Sequence, residues 1–313
     1  MVTRVGGTGE RLRGARTLDE VRIRERLGQA LFERVAGPDG PKHRDRIHGT
    51  PGPRWFEEGS PITRVHGDAS MYVGGIRAVL LQTMQPQAMT AVAEHSGYRG
   101  DMWGRLARTS RFLAVTTFGT AEDAQQAVDA VRAIHDRVSG TMPDGTAYHA
   151  SDPHLLRWVH VAEIQSFLLA HRRYGARPLD QAGYDEYVAQ AAVVARKLGV
   201  IDPPTTEAEL QEALEAFRPE LEATDHARDA AAYLIRHPEL PYAARPGYWV
   251  LIAAAIGLMP GWTRQPLGLP TLPVAHDQVA FALGRVATRT VRWATAGHGA
   301  QAAQLRRAVG TGT

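Results

Sequence analysis

The chain has 313 residues and contains no cysteine. This absence excludes disulfides, thiolate nucleophiles, iron–sulfur clusters, zinc sites of the cysteine type and covalent haem attachment through a C-x-x-C-H motif. It also excludes a thiolate as an axial ligand to iron. If iron is present, histidine must hold it, and the chain has 13 histidines.

Lysine is nearly absent, because Lys42 and Lys197 are the only two among 36 lysine and arginine residues. With 33 acidic residues, the formal net charge is only +3. The sequence shows no clustering of basic residues of the kind that binds nucleic acid. We therefore expect no nucleic-acid partner, and the weak net charge also disfavours a helical scaffold that binds nucleic acid.

Long apolar runs are missing as well. The longest, from Tyr248 to Met259, is too short to span a bilayer and stops at Pro260. The N-terminal segment has no apolar region of the kind found in signal peptides. We expect a soluble, cytoplasmic protein without a transmembrane segment.

Apolar residues recur at helical spacing along most of the chain, whereas the alternation typical of strands is almost absent. The sequence therefore predicts an all-α fold. Helices are expected over about residues 18–35, 75–94 with an interruption at Pro86, 105–117, 121–138, 153–175, 180–198, 206–217, 225–237, 248–258 and 275–295.

The expected domain organisation is a disordered tail at residues 1–16, a single all-α domain at 17–298 and a flexible tail at 299–313. Within the domain, residues 37–70 are rich in proline and glycine and are expected to form an ordered loop. Thr120 is expected to cap one helix, since acidic residues follow it. Ser151 or Asp152 is expected to cap the helix with Pro153 in its first turn.

Arg105, Arg108 and Thr109 lie at positions i, i+3 and i+4, so their side chains project from one face of a helix. Two guanidinium groups and a hydroxyl on one face suit the binding of carboxylates or the orientation of dioxygen. The alternative is a solvated basic face, because Arg111 is close by.

Arg132 and His135 repeat the spacing i, i+3 on the next predicted helix. Val128, Val131 and Val138 lie on the same side, which predicts that His135 faces the interior. A buried imidazole stays neutral and is a common ligand for iron or zinc. The alternative is a core histidine that is packed and hydrogen-bonded without any metal.

His160 follows Trp158 on a further apolar helix. It is a second candidate ligand, or else a supporting or core histidine. Glu94, His95 and Ser96 end an earlier helix, where the carboxylate could act as a general base or the segment could simply terminate the helix. Arginines and histidines clustered on neighbouring helices suggest a ligand that is both anionic and a coordination centre, and haem fits that description.

Several motifs follow one another in a fixed order. They are R-x-x-R-T at 105–109, FGT at 118–120, R-x-x-H at 132–135, PDG-x-x-Y-x-A-x-DP at 143–153, L-L-x-W-V-H at 155–160 and MPGWTRQPLGLP at 259–270. This order resembles the MpaB-type oxygenase family, which includes the latex-clearing rubber oxygenases. The resemblance covers roughly residues 75–270.

The resemblance implies a globin-like all-α core with additional surrounding helices and one non-covalent haem b. It implies that His135 is the proximal iron ligand and that Arg132 lies close to the haem. We also expect Arg105 and His160 to be cofactor-binding residues. The distal motif of rubber oxygenases, Arg-x-x-Lys-Thr, is matched by Arg105, Arg108 and Thr109, with arginine in place of lysine. Arginine offers no lone pair, so we expect Arg108 to donate hydrogen bonds to dioxygen or to a haem propionate rather than to bind iron.

The activity that the resemblance implies is dioxygen-dependent cleavage or hydroxylation of a small hydrophobic substrate, isoprenoid-like or a secondary metabolite. Arg105, Arg108 and Thr109 are the expected catalytic residues. An external electron donor is required unless the reaction is a dioxygenase-type cleavage. The alternative is a helical protein that binds haem or a hydrophobic ligand without turnover.

Overall fold

The structure is a computed structural model and describes residues 24–96, 100–237, 240, 242–270 and 274–310. These residues form fourteen α-helices, two short 3-10 turns and one two-stranded antiparallel sheet. The predicted all-α class is therefore confirmed. The globin-like arrangement and the single domain at residues 17–298 stay predictions.

The helices follow one another with short connections. The first half contains α1 at residues 24–36, α2 at Gly40–Gly49, α3 at Pro61–His66, α4 at Met71–Gln82, α5 at Pro86–His95, α6 at Met102–Phe118 and α7 at Ala121–His135. The strands β1 at Ser139–Thr141 and β2 at Ala147–His149 come next.

The second half is helical throughout its described elements. It contains α8 at Pro153–Tyr174, α9 at Gln181–Leu198, α10 at Glu207–Phe217, α11 at Asp225–Arg236, α12 at Arg245–Leu258, α13 at Gly261–Arg264 and α14 at Val274–Gly310. The 3-10 turns are Arg218–Glu220 and Tyr242–Ala244. None of the described helices combines the length and the apolar character needed to cross a membrane.

Polar caps fix the starts of the two helices that matter most for the site. The Thr120 hydroxyl accepts a hydrogen bond of 3.1 Å from the Asp123 N–H, which confirms the predicted cap of α7. At α8 the cap is Asp152, whose carboxylate accepts from the His154 N–H at 2.8 Å while Pro153 occupies the first turn. Each cap satisfies a backbone donor that the helix itself leaves free.

Helix α8 runs through the core and packs along α4, α9 and α10. More than half of its 22 residues are buried. Trp158 is fully buried, and its indole N–H donates to the Gln82 carbonyl at the end of α4, 3.2 Å away. Because α8 is enclosed on most sides, each polar side chain it carries must find a partner or lose its hydration.

The hairpin β1–β2 pairs Gly140 with Tyr148 and turns at Gly145, whose φ of 91° favours glycine. The Tyr148 side chain points inward and is only 2% exposed. A side chain at position 140 would collide with the Tyr148 hydroxyl, so this close approach requires the glycine.

Three predicted boundaries differ from the structure or fall outside it. The predicted loop at 37–70 contains α2 and α3. Helix α2 was not predicted because Ile47 is the one large apolar residue buried in it, so its sequence has no apolar repeat. Helix α14 continues to Gly310, beyond the predicted end at 295, so residues 299–310 are helical while their mobility stays a prediction. The predicted disordered tail at 1–16 lies outside the described residues.

Arg77 on α4 is completely buried, which is unusual for an arginine. Its Nε donates to the Leu258 carbonyl at the C-terminal end of α12 at 2.9 Å, and its Nη1 donates to the Ser166 hydroxyl of α8 at 2.5 Å. Burial lowers the pKa of this guanidinium to about 9. Arg77 therefore joins three helices and satisfies a carbonyl that α12 leaves free.

Arg77→Ala should lower the free energy of unfolding by about 3–5 kcal/mol, because it leaves a cavity and removes two buried hydrogen bonds. Ser166→Ala, which leaves one buried Arg77 donor unpaired, should cost about 1–3 kcal/mol. Urea denaturation measures both changes. The exposed Arg137→Ala serves as the control and should cost less than about 0.5 kcal/mol. A loss at Arg77 no larger than at Arg137 would contradict the stabilising role.

Candidate functional site

His135 is the last residue of α7, directly before the hairpin. Its Nδ1 atom is buried and has no hydrogen-bond partner. Burial lowers the pKa of the imidazole below its usual value, against a smaller opposing effect of Asp136. The ring is therefore neutral at pH 7, which is the form whose nitrogen lone pair can bind a metal ion.

His135 lies at the margin of the core rather than deep inside it. Val128, about two turns earlier on α7, is fully buried, whereas Val131, His135 and Val138 are only partly buried. Arg132 is exposed, and its Nη1 donates to the Lys197 carbonyl at 3.3 Å. That contact fixes the end of α7 against the end of α9, where a cation is favourable.

The three residues of the predicted distal motif differ in their exposure to solvent. Arg105 is partly buried and its Nη1 donates to the Ser96 hydroxyl at 2.8 Å. Arg108 and Thr109 are exposed, and Arg108 forms an ion pair of 2.8 Å with Asp101 at the surface. Burial, and then the charge of Arg108, lower the pKa of Arg105. Arg105 is thus the member of the motif that is turned inward.

The segment Glu94–Ser96 joins the hairpin to α6. The Tyr148 hydroxyl donates to the Glu94 carboxylate and lies 3.1 Å from the His95 Nε2 atom. Burial and then the Glu94 carboxylate raise the pKa of Tyr148 to about 12. Because α5 ends at His95 and is capped by Ser96, the interpretation of this segment as a helix end is correct, and its side chains also form a polar network.

His160 is buried inside α8, and its Nε2 atom has no hydrogen-bond partner. Burial, followed by the charges of Arg157 and Arg196, lowers the pKa of the imidazole to about 4. His160 thus shares with His135 the two properties expected of a ligand, namely a neutral ring and a buried nitrogen without a partner. It is more deeply buried than His135.

Glu163 lies one turn after His160 and was not predicted as a site residue. It keeps part of its surface accessible, yet burial raises the pKa of its carboxyl to about 7. Burial raises the pKa because it disfavours the charged form of the carboxyl. A single carboxylate in the apolar stretch VHVAEIQSF was the signal in the sequence.

His66 and Tyr187 continue this buried polar region. The two His66 ring nitrogens lie 2.8 Å from the Thr117 hydroxyl and 3.2 Å from the Tyr187 hydroxyl. Burial lowers the pKa of His66 to about 3, and burial together with the charge of Glu163 raises that of Tyr187. These residues come from four helices that are distant in sequence, so local spacing could not reveal them.

The described residues form a surface pocket, but it lies apart from the site. A pocket of about 620 Å³ lies between α3 and the start of α9, away from the predicted site residues. It is lined by Pro61, Arg64, Pro178, Leu179, Asp180, Ala182, Gly183 and Glu186. Among the described residues, no group of three or more histidine, aspartate or glutamate side chains is arranged to hold a metal ion.

Glu163→Gln should raise the free energy of unfolding above pH 7 and leave it unchanged near pH 4. A carboxyl whose pKa rises from 4.5 to about 7 on folding binds more protons in the native state, so native stability falls as the pH climbs through that window. Glutamine does not ionise, so the variant keeps the free energy of unfolding that the unchanged protein loses, which we expect to be about 1–3 kcal/mol. Urea denaturation at several pH values measures the difference.

The control for this prediction is Glu212→Gln, an exposed glutamate on α10. Its effect on the free energy of unfolding should be small and should not change with pH between 4 and 8. Parallel pH profiles for Glu163→Gln and the unchanged protein would contradict the assignment of a raised pKa to Glu163.

The chain matches a known protein family. Residues 63–293, more than two thirds of the chain, match the family model described as ER-bound oxygenase mpaB/B'/rubber oxygenase, catalytic domain. No curated protein and no solved structure matches the chain significantly. The matched range extends from α3 into α14 and contains every predicted site residue. The chain therefore belongs to the MpaB and rubber oxygenase family, a family of oxygenase catalytic domains.

Proposed function

We propose that the protein is a haem b-dependent oxygenase that uses dioxygen to cleave or hydroxylate a small hydrophobic substrate. Family membership supports the oxygenase class. The observation that carries the haem assignment is the buried, unpartnered nitrogen of His135 within the R-x-x-H motif. A neutral imidazole with no protein partner is a group that commonly binds haem iron.

The residues present fit this cofactor. A porphyrin supplies four of the ligands to its iron, so one imidazole from the chain is sufficient, and His135 offers it. The propionates of a haem carry two negative charges that are usually placed near cations and solvent. Arg132 lies at the surface one turn before His135 and offers such a cation. His160 is the second neutral imidazole and the alternative ligand.

The haem supplies the activation of dioxygen, and the chain supplies the binding and the electrostatic environment. Arg105 is held partly buried by its hydrogen bond to Ser96, so its charge is fixed in a region of low dielectric. We assign it the main role in stabilising negative charge that develops during the reaction. Arg108 and Thr109, which face solvent, are assigned to the entrance of the site.

His135→Ala should reduce the haem content of the purified protein to less than about one tenth, because it removes the side chain proposed to bind the haem iron. His160→Ala should retain most of the haem. The measurement is the Soret absorbance per protein after expression with added haem precursor. The exposed His149→Ala is the matched control and should behave as the unchanged protein.

Two results would change this assignment. Loss of the Soret band in His160→Ala but not in His135→Ala would make His160 the ligand. A protein without a Soret band even after haem supplementation, with normal circular dichroism, would remove the haem from the proposal while leaving the family unaffected.

Arg105→Ala should lower the rate of dioxygen consumption about 100–1000-fold while the Soret band remains, since one fixed donor typically contributes that much to charge stabilisation. The rate is measured with an oxygen electrode and an isoprenoid probe such as squalene, with and without a reductant. Arg111→Ala, an exposed arginine on the same helix, is the control.

Oxygen consumption with and without the reductant distinguishes cleavage, hydroxylation and binding without turnover. Consumption without reductant indicates cleavage of the dioxygenase type, and consumption that needs a reductant indicates hydroxylation with an external electron donor. A Soret band without consumption for a range of hydrophobic probes would favour a binding protein without turnover. An unchanged rate in Arg105→Ala would contradict the role given to that residue.

A further inference from the structure

One face of α14 carries an apolar stripe that no described residue covers. Val279, Leu283, Val286 and Trp293 are 57%, 46%, 61% and 45% exposed. Their spacing of four, three and seven residues places them on one side of the helix, together with Thr290. The stripe is about 21 Å long, because the helix rises about 1.5 Å per residue.

The opposite face of α14 holds the helix on the protein. Gly284 lies so close to Ala254 and to the ring of Tyr174 that a side chain there would collide with both. Thr288 and Val291 are buried on the same side. The orientation of the helix is therefore fixed by packing, and the apolar stripe is not free to turn inward.

After Asp277 in its first turn, every charged residue of α14 is basic. From Gln278 to Gly310 the helix contains five arginines and no acidic residue. Arg292 and Arg306 form ion pairs with Asp68 and Glu58 of the protein body. Arg285 and Arg289 are exposed beside the stripe, and neither forms an ion pair with a described residue.

We propose that this face of α14 docks on the surface of an anionic lipid bilayer. An apolar stripe with tryptophan, flanked by arginines and free of acidic groups, is the arrangement by which an amphipathic helix lies at a membrane interface. The arginines contact the anionic headgroups, and the stripe enters the boundary of the acyl chains. This proposal is independent of the haem chemistry.

Charge and area favour the bilayer over a second copy of the chain. In an antiparallel pairing of two stripes, Arg285 and Arg289 of each copy would come close to those of the other and repel them. Residues 1–23 are also cationic, with five arginines and three acidic residues, so they complement this face poorly. A single helix face of this length offers a few hundred Å², less than the roughly 800 Å² per partner of a stable protein interface.

The test is co-sedimentation of the full chain with vesicles at low salt. Vesicles of phosphatidylcholine with about one third phosphatidylglycerol should bind the protein, and phosphatidylcholine alone should bind it poorly. Raising the NaCl concentration to about 0.5 M should release most of it, because salt screens the attraction. Binding that is equal for both vesicle compositions, or absent from both, would overturn the proposal.

Two double variants test the residues. Arg285→Gln with Arg289→Gln should lower the partition coefficient about 30-fold, since each arginine near an anionic surface contributes roughly a fivefold effect. Leu283→Ser with Val286→Ser should lower it at least about tenfold. The controls are Arg137→Gln and Ile201→Ser, which are exposed elsewhere and should bind as the unchanged protein does.

Tryptophan fluorescence distinguishes docking through α14 from nonspecific adsorption to the vesicles. Lipids brominated on their acyl chains should quench tryptophan fluorescence in the unchanged protein, and Trp293→Phe should lose this quenching. Equal quenching in both proteins would place the contact elsewhere and overturn the proposal. Light scattering that shows a dimer dissociated by Leu283→Ser, with no vesicle binding, would assign the stripe to a second copy instead.

Discussion

The burial of α8 is the constraint on which the rest of the molecule depends. A helix enclosed on most sides must pair its polar side chains within the protein, because each buried polar group without a partner costs about 1–3 kcal/mol. Ser166 and His171 are paired, with Arg77 and with the Tyr184 hydroxyl. The His160 Nε2 and the Gln165 Oε1 atoms are not. A ligand at either of these unpaired atoms would restore a lost hydrogen bond or coordinate to it.

The same desolvation sets the charge of the interior. It lowers the pKa values of His66, His135 and His160, so these imidazoles are neutral at pH 7. Arg77 and Arg105 stay protonated, although no ion pair joins either of them to a described carboxylate. An interior with neutral imidazoles and uncompensated guanidinium groups suits a ligand that needs a nitrogen donor and carries negative charge. This combination supports the proposed haem on physical grounds.

The sequence predicted most of the helices because their apolar repeats and caps are local. The Thr120 cap, the start of α8 at Pro153 and the ends of α9 and α10 are examples. Helix α2 was missed because it lies on the surface and lacks an apolar repeat.

The candidate site was predictable only in part, for a related reason. Spacing shows that Arg105, Arg108 and Thr109 share one general side of a helix, but it does not show which of them points inward. Only the contact with Ser96 and the ion pair with Asp101 decide this. Glu163 and Tyr187 were missed because their proximity depends on the packing of α8 against α9, which no local pattern encodes.

Two of the motifs that carry the family resemblance, PDG-x-x-Y and R-x-x-R-T, are linked in space by a short polar network. The tyrosine of PDG-x-x-Y is Tyr148, and its hydroxyl donates to Glu94 at the end of α5. Two residues later, Ser96 accepts from Arg105, the first arginine of R-x-x-R-T. The hairpin, α5 and α6 therefore hold one another in register through two side-chain hydrogen bonds. His135 directly precedes this hairpin, so a substitution at Tyr148 would loosen the support of both Arg105 and His135 at once.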